Sequence, residues 1–307
     1  MRRSLLITGG AGFMGSNFAI TAAKAFHKYD ITILDALTYA ANLDNLEKIN
    51  GEFKFVLGDI RNQELVDALV AENEIVVNFA AETHNDNSLT GPDIFIETNI
   101  IGTYNLLKSV RKFSSRFHQV STDEVFGDLP LNSSESFTEE SPFKPSSPYS
   151  ASKASADLLI RSWIRSYNIE ATISHSSNNF GENQFPEKFI PNAINLLKQN
   201  RPIQLYGNGL NIRDWIYVND HSHAVLKIIE CGKSAEEYNI GARQLKSNLE
   251  IAYMLNKSFG KSEDFIEFVP DRPGHDKKYS ISPNKLETEL DWLPTGPSIE
   301  KWISNLF

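Results

Sequence analysis

Two periods of apolar residues interleave along the chain up to about residue 170. Short runs rich in β-branched and aliphatic residues predict strands: "SLLITG" (4–9), "DITILD" (30–35), "FKFVLGD" (53–59), "IVVNFA" (75–80), "FHQVST" (117–122) and "EATISH" (170–175). Between them, "GSNFAITAAKAFHK" (15–28) and "QELVDALVAEN" (63–73) carry helical spacing. Strand and helix in alternation predict a parallel sheet covered on both faces. After about residue 175 the pattern loosens and Pro, Asn and Gly become frequent. A smaller domain capping the C-terminal edge of the sheet is expected there, the edge at which such folds bind ligands. The fold class read from this is α/β, a doubly wound parallel sheet over 1–175 with a smaller C-terminal α/β substrate-binding domain over 176–307. Segment 212–230 is expected to return to the first domain.

Composition narrows the classes. With 307 residues, 41% of them hydrophobic, the chain can bury a large core. A net charge of -9 argues against nucleic acid or an anionic membrane as the main partner. A single cysteine, Cys231, excludes a disulfide framework and a Cys-rich metal site, and no metal is expected. No apolar run reaches the roughly 18 residues of a membrane span. The apolar run in "MRRSLLITGG" is too short for a secretion signal, so a cytoplasmic protein is expected.

"ITGGAGFMGSN" (7–17) joins the first strand to the first helix, with Gly9, Gly12 and Gly15 three apart. Gly9 allows the tight turn, Gly12 lets a pyrophosphate approach the backbone, and Gly15 permits close helix packing. The helix N-terminus adds free N–H groups for that anion. Asp35, twenty residues beyond Gly15, ends the second strand, where an acid binds ribose hydroxyls and repels a 2′-phosphate. The sheet is therefore of Rossmann type, and the expected cofactor is NAD rather than NADP. Asp59, ending the third strand, is either a solvated acid or a partner for the adenine amino group.

"PYSASK" (148–153) sets Tyr149 and Lys153 on one helix face, one turn apart. A lysine beside a phenol is expected to stabilise the phenolate and lower its pKa. "STDEVFG" (121–127) ends another strand with two hydroxyls and two adjacent acids, Asp123 and Glu124. By themselves these acids read as a solvated loop start.

Blocks along the whole chain resemble the nucleotide-sugar 4,6-dehydratases of the extended short-chain dehydrogenase/reductase superfamily. They are "TGGAGFMGSNF", "LDALTYAANLDNL", "AAETHNDNS", "VSTDEVFG", "PSSPYSASKASAD", "SSNNFGENQFPEKFIP", "YGNGLNIRDWIYVNDH" and "FVPDRPGHDKKY", in the family's order. The resemblance implies NAD-dependent oxidation of a hexose at C4, loss of water across C5–C6, and reduction at C6. It implies a dTDP-linked glucose as substrate. Tyr149 would take the C4 hydroxyl proton, Glu124 the C5 proton, and Asp123 would protonate the departing C6 hydroxyl. Thr122 would bond the C4 oxygen, and Lys153 would hold the nicotinamide ribose. For NAD the implied contacts are further Phe13, Met14, Asp35, Leu37, Thr38, Asp59, Ile60, Ala80, Ala81, Thr98 and Asn179. For the sugar nucleotide they are Thr83, Thr122, Asn178, Glu187, Lys188, Tyr206, Arg213, Asn248 and His275, with Arg213 facing the diphosphate. A homodimer through a four-helix bundle built from 94–112 and 149–166 is implied as well.

The chain departs from the family pattern at Asn87, Phe126, His175, Ser176, Phe180 and Glu182, and it ends earlier, near "IEKWISNLF". These positions are expected near the site wall, where they bear on substrate identity more than on reaction type. His175 is expected to be buried and neutral, and His84 to pack behind the site. Arg213, read without the family, pairs with Asp214 at the surface. The alternatives are a dehydratase or epimerase for a UDP- or GDP-linked sugar, and a catalytically silent NAD-binding protein.

Overall fold

The structure is a computed structural model, and it describes residues 2–25, 28–49 and 51–306. Six strands follow the predicted runs: β1 (Arg3–Thr8), β2 (Tyr29–Asp35), β3 (Phe53–Leu57), β4 (Ile75–Asn78), β5 (Arg116–Thr122) and β6 (Ala171–Ser176). Six more are short: β7 (Asn178–Phe180), β8 (Ile203–Tyr206), β9 (Ile212–Tyr217), β10 (Glu237–Ile240), β11 (Leu245–Ser247) and β12 (Ile266–Val269). The main sheet runs β10-β6-β5-β4-β1-β2-β3, and every pairing in it is parallel. The strand order reverses between β1 and β4, which opens a crevice at their C-terminal ends.

Alternate residues of β1 show why both faces are covered. Leu5 and Ile7 pack into one core with Phe18 of the helix Phe13–Lys24 and Val225 of the helix Val218–Cys231. Leu6 faces the other way, into a core with Val66, Leu106, Phe117 and Ile160. The period-two side chains of a strand serve two apolar layers at once, so the strands read as nearly continuous apolar runs. At the C-terminal end of the sheet that apolar rule gives way to a polar row. Thr8 Oγ1 donates to Asn78 Oδ1 (2.6 Å), and Asn78 Nδ2 donates to Gln119 Oε1 (2.8 Å).

The chain beyond residue 176 divides its segments. Helix Val218–Cys231 packs on the first helix and β10 joins the main sheet. The sequence pattern carried no sign of β10, a four-residue run ("EYNI") too short to show a period. The helix Asn284–Leu290 joins the first core through Leu286 and Leu290, and most other segments form a third core around Phe180, Ile190, Trp215, Ile251 and Ile303, with two small sheets, β11-β9-β7 and β12-β8. No helix among the described residues is long and apolar enough to cross a membrane.

Candidate active site

The crevice holds a cavity of about 320 Å³ at the switch point of the sheet. The glycine turn forms its floor. Gly9 adopts φ +67°, and a Cβ there would meet Ala80 N at 2.6 Å, so a left-handed turn and close contact with the end of β4 both demand glycine. A Cβ on Gly15 would lie 2.2 Å from Gly9 O, so the helix touches the turn directly.

The residues here fit a dinucleotide. No side chain caps the helix Phe13–Lys24 at Gly12, and the N–H groups of Phe13 and Met14 have no acceptor among the described residues. Free N–H groups and the positive helix end together suit a diphosphate. Asp35 is aimed from two sides: Ala11 N–H donates to Oδ2 and Leu37 N–H to Oδ1, each at 2.8 Å. Each oxygen keeps a lone pair for a ribose hydroxyl. Burial raises the pKa of Asp35, and the two backbone donors oppose that. At Asp59 burial also disfavours the anion, but Arg61 bonds it from guanidinium and backbone and holds the pKa below the ordinary value. Thr38, Ile60, Ala80, Ala81, Thr98 and Asn179 line the same cavity. Leu37 does not; it takes φ +50° and packs against the core.

Thr122, Asp123, Glu124, Tyr149 and Lys153 all line this cavity too. Strand β5 ends at Thr122, and a short 3₁₀ turn, Asp123–Phe126, starts there with Thr122 Oγ1 accepting from Glu124 N–H (3.3 Å). The two acids point into different surroundings. Asp123 is 2% exposed, and its Oδ2 has no hydrogen-bond partner among the described residues. Burial first, and then the charge of Glu124, hold its carboxyl well above the ordinary range, with Arg213 pulling the other way. Glu124 is only half-buried, and its Oε2 accepts from Asn85 Nδ2 at 2.8 Å. Two neighbouring carboxyls are thus separated into one whose ionised form is disfavoured and a second, better-solvated group.

Tyr149 and Lys153 lie on the helix Pro148–Tyr167, whose start is fixed by Pro148 and a reciprocal cap between Ser147 and Ser150. The expected lowering of the phenol's pKa by Lys153 is corrected by the structure. Burial, and after it the charge of Glu124, push Tyr149 upward; a hydrogen bond with Thr122 opposes this. The lysine ammonium donates instead to Val120 O (2.8 Å), and its charged partner is Asp157, one turn further along. Burial lowers Lys153 to about 8, against the pull of Asp157.

The residues expected around the sugar nucleotide divide into groups. Thr83, Asn178, Glu187 and Lys188 line the cavity. Lys188 Nζ donates to Thr83 O at 2.9 Å, and His84 stands 3.7 Å from Glu187, behind the wall. Tyr206, Arg213, Asn248 and His275 are not on this wall. Tyr206 and His275 meet edge to face, 6.1 Å apart, beside Arg272. Tyr206 Oη and Arg272 both donate to Asp86. Asn248 opens the helix Asn248–Ser258.

Arg213 corrects the surface ion-pair reading. It is 5% exposed, donates to the carbonyls of Ile212 and Asp276, and stacks 4.2 Å over the Tyr279 ring. Asp214 points the opposite way, as neighbours on a strand do, and accepts from the N–H groups of Ala242, Arg243 and Gln244.

Of the departures from the family pattern, Ser176 lines the cavity, Asn87 is exposed and does not line it, and Phe126 and Phe180 are buried. Glu182 accepts from Tyr217 Oη. His175 is fully buried between Phe126 and Phe143, with Nε2 3.3 Å from Asp157. It therefore lies behind the wall. Asn85 and Asp157 escaped the sequence reading. Asp157 continues the 149–153 stripe by four residues, a usable signal. Asn85 carries none, because its partners Glu124 and Ser147 are remote in sequence.

Comparison with known proteins agrees with this architecture. The family model for GDP-mannose 4,6 dehydratase matches residues 6–305. The dTDP-glucose 4,6-dehydratase of Mycolicibacterium smegmatis is 47% identical over 98% of this chain and 91% of its own. The structure of the dTDP-glucose 4,6-dehydratase DesIV from Streptomyces venezuelae, solved with NAD and dTDP bound, superposes with a TM-score of 0.92 at 37% identity, covering 98% of this chain and 97% of that one. A UDP-glucose 4-epimerase from Thermotoga maritima superposes at 0.89 but with 25% identity, covering 98% and 96%. By these matches and by its fold, the chain belongs to the dTDP-glucose 4,6-dehydratase family, within the extended short-chain dehydrogenase/reductases.

Proposed function

We propose that the protein converts dTDP-glucose to its 4-keto-6-deoxy product by oxidation, elimination of water and reduction at one site. The observation that carries this reading is the shared cavity of Asp123, Glu124, Tyr149 and Lys153, floored by the glycine turn. When bound, NAD supplies the hydride acceptor and a positive charge. Phe13 and Met14 N–H groups, Asp35 and Lys153 hold it. Tyr149 Oη takes the proton of the C4 hydroxyl, and Thr122, which lines the same cavity, steadies the oxygen. A ketone at C4 acidifies C5, and Glu124 removes the C5 proton. Asp123, kept protonated by burial and by its neighbour's charge, gives its proton to the departing C6 hydroxyl. Thr83, Asn178, Glu187 and Lys188 bind the sugar nucleotide from the cavity wall. Tyr206, Arg213, Asn248 and His275 serve it from the C-terminal part, after a rearrangement that frees Arg213 from its carbonyls.

Two further features belong to this reading. Ile96, Ile101, Tyr104 and Leu158 are apolar and exposed on the helical segments Ile96–Phe113 and Pro148–Tyr167, and they support a homodimer through a four-helix bundle. The acidic balance and lone exposed Cys231 support a cytoplasmic setting.

Incubating the protein with dTDP-, UDP- and GDP-glucose and following the alkaline absorbance of a 4-keto sugar tests the substrate. Turnover of dTDP-glucose is expected to exceed the others. Turnover of a UDP- or GDP-sugar alone refutes the nucleotide assignment. Inertness toward every donor in the presence of NAD refutes the enzyme reading.

A further inference from the structure

We propose that Asn85 is a positioning residue for the elimination step, its amide clamping Glu124 to the start of the helix that carries Tyr149. This rests on the reading of Glu124 as the C5 base. Asn85 Nδ2 donates to Glu124 Oε2 at 2.8 Å, and Asn85 Oδ1 accepts from Ser147 Oγ at 2.7 Å. Ser147 Oγ in turn accepts from Ser150 N–H (3.1 Å) and meets Ser150 Oγ at 2.9 Å. The carbonyl end of the amide faces Ser147 and the NH₂ end faces Glu124, whose carboxylate can only accept.

The bond has two effects. It fixes the orientation of the Glu124 carboxylate beside the start of the helix that carries Tyr149. The bond also occupies Oε2, leaving Oε1 without a partner among the described residues and free to serve as the basic oxygen. Charged and titratable groups reach Glu124 from every side: Asp123 from its own turn, Tyr149 from the helix, Lys188 from the opposite wall and Tyr279 from the C-terminal segment. Asn85 is the only neutral side chain among the described residues that donates to its carboxylate. The helix cap does not require Asn85, because Ser147 and Ser150 satisfy each other's backbone N–H groups.

The test compares Asn85→Val with the isosteric Asn85→Asp, which still accepts from Ser147. First, in the protein alone, the Asn85 side-chain amide is followed by ¹H–¹⁵N NMR, its signal assigned by its loss in both variants. Replacing its acceptor in Glu124→Ala is expected to shift the amide proton upfield. An unshifted amide signal overturns the clamp. Second, with dTDP-glucose and NAD, solvent deuterium incorporation at C5 is expected to slow about tenfold or more in Asn85→Val, while oxidation at C4 changes less than about twofold. Equal slowing of both steps overturns the positioning role. A shifted amide signal in a protein inert to all sugar nucleotides keeps the clamp and rejects the proposed function, so the two failures are distinguishable.

Discussion

Lys153 is a buried cation whose removal should trade stability against function. Its side chain is 4% exposed and makes one hydrogen bond, to Val120 O. Burial brings its pKa from the ordinary 10.5 to about 8. At roughly 1.4 kcal/mol per pH unit, holding the charged form in the fold costs about 3 kcal/mol at pH 7. Lys153→Met removes that cost. It also loses a hydrogen bond worth about 1 kcal/mol and leaves Asp157 with Ser121 and His175 as its neighbours. The net expectation is a gain of about 1–2 kcal/mol at pH 7, with loss of NAD binding and turnover. The pH dependence has a definite sign. Between about 8 and 10.5 the unfolded lysine binds more protons than the folded one, so wild-type stability rises with pH there. The advantage of the Met variant is therefore largest below pH 8 and fades toward pH 10.5. Urea unfolding of both proteins without NAD, from pH 7 to pH 10, measures it. A Met variant less stable at pH 7, or a difference that stays flat with pH, refutes the account of Lys153 as a strained buried charge.

Glu124→Gln keeps an oxygen for the Asn85 amide but loses the base. It should oxidise the sugar at C4 and then stall, with C5 exchange down by about 10²–10⁴, and normal water loss would show the base to be misassigned. Asp35→Asn must point its NH₂ at one of two backbone donors, Ala11 or Leu37. Calorimetry should show NAD affinity reduced by at least about tenfold and NADP discrimination relaxed, while unchanged NAD affinity would remove Asp35 from the ribose site. Leu158→Glu places a charge on an exposed apolar helix position. If the proposed dimer forms through this face, sedimentation should show dimers for the wild type and monomers for the variant, and an unaltered dimer would rule out this face.

What the sequence determined was local or periodic. Six strands of the main sheet were legible because each is long enough to show its apolar run, and the glycine turn because its three glycines recur at a fixed spacing between a strand run and a helix run. Tyr149 and Lys153 were legible because a helix makes residues four apart neighbours. The division of labour between Asp123 and Glu124 was not available at that level. Adjacent residues share a sequence context, and only the fold buries one carboxyl without a partner while giving the other the Asn85 amide. The same holds for the phenol's raised pKa, which comes first from burial and then from the Glu124 carboxylate on another element, and for Arg213 and Asp214, which a strand turns to opposite sides. Strand β10 entered the sheet unannounced because four residues carry too little pattern to be read. Distant segments meet only when the sheet is assembled, and solvation, charge and hydrogen-bond direction are properties of those meetings.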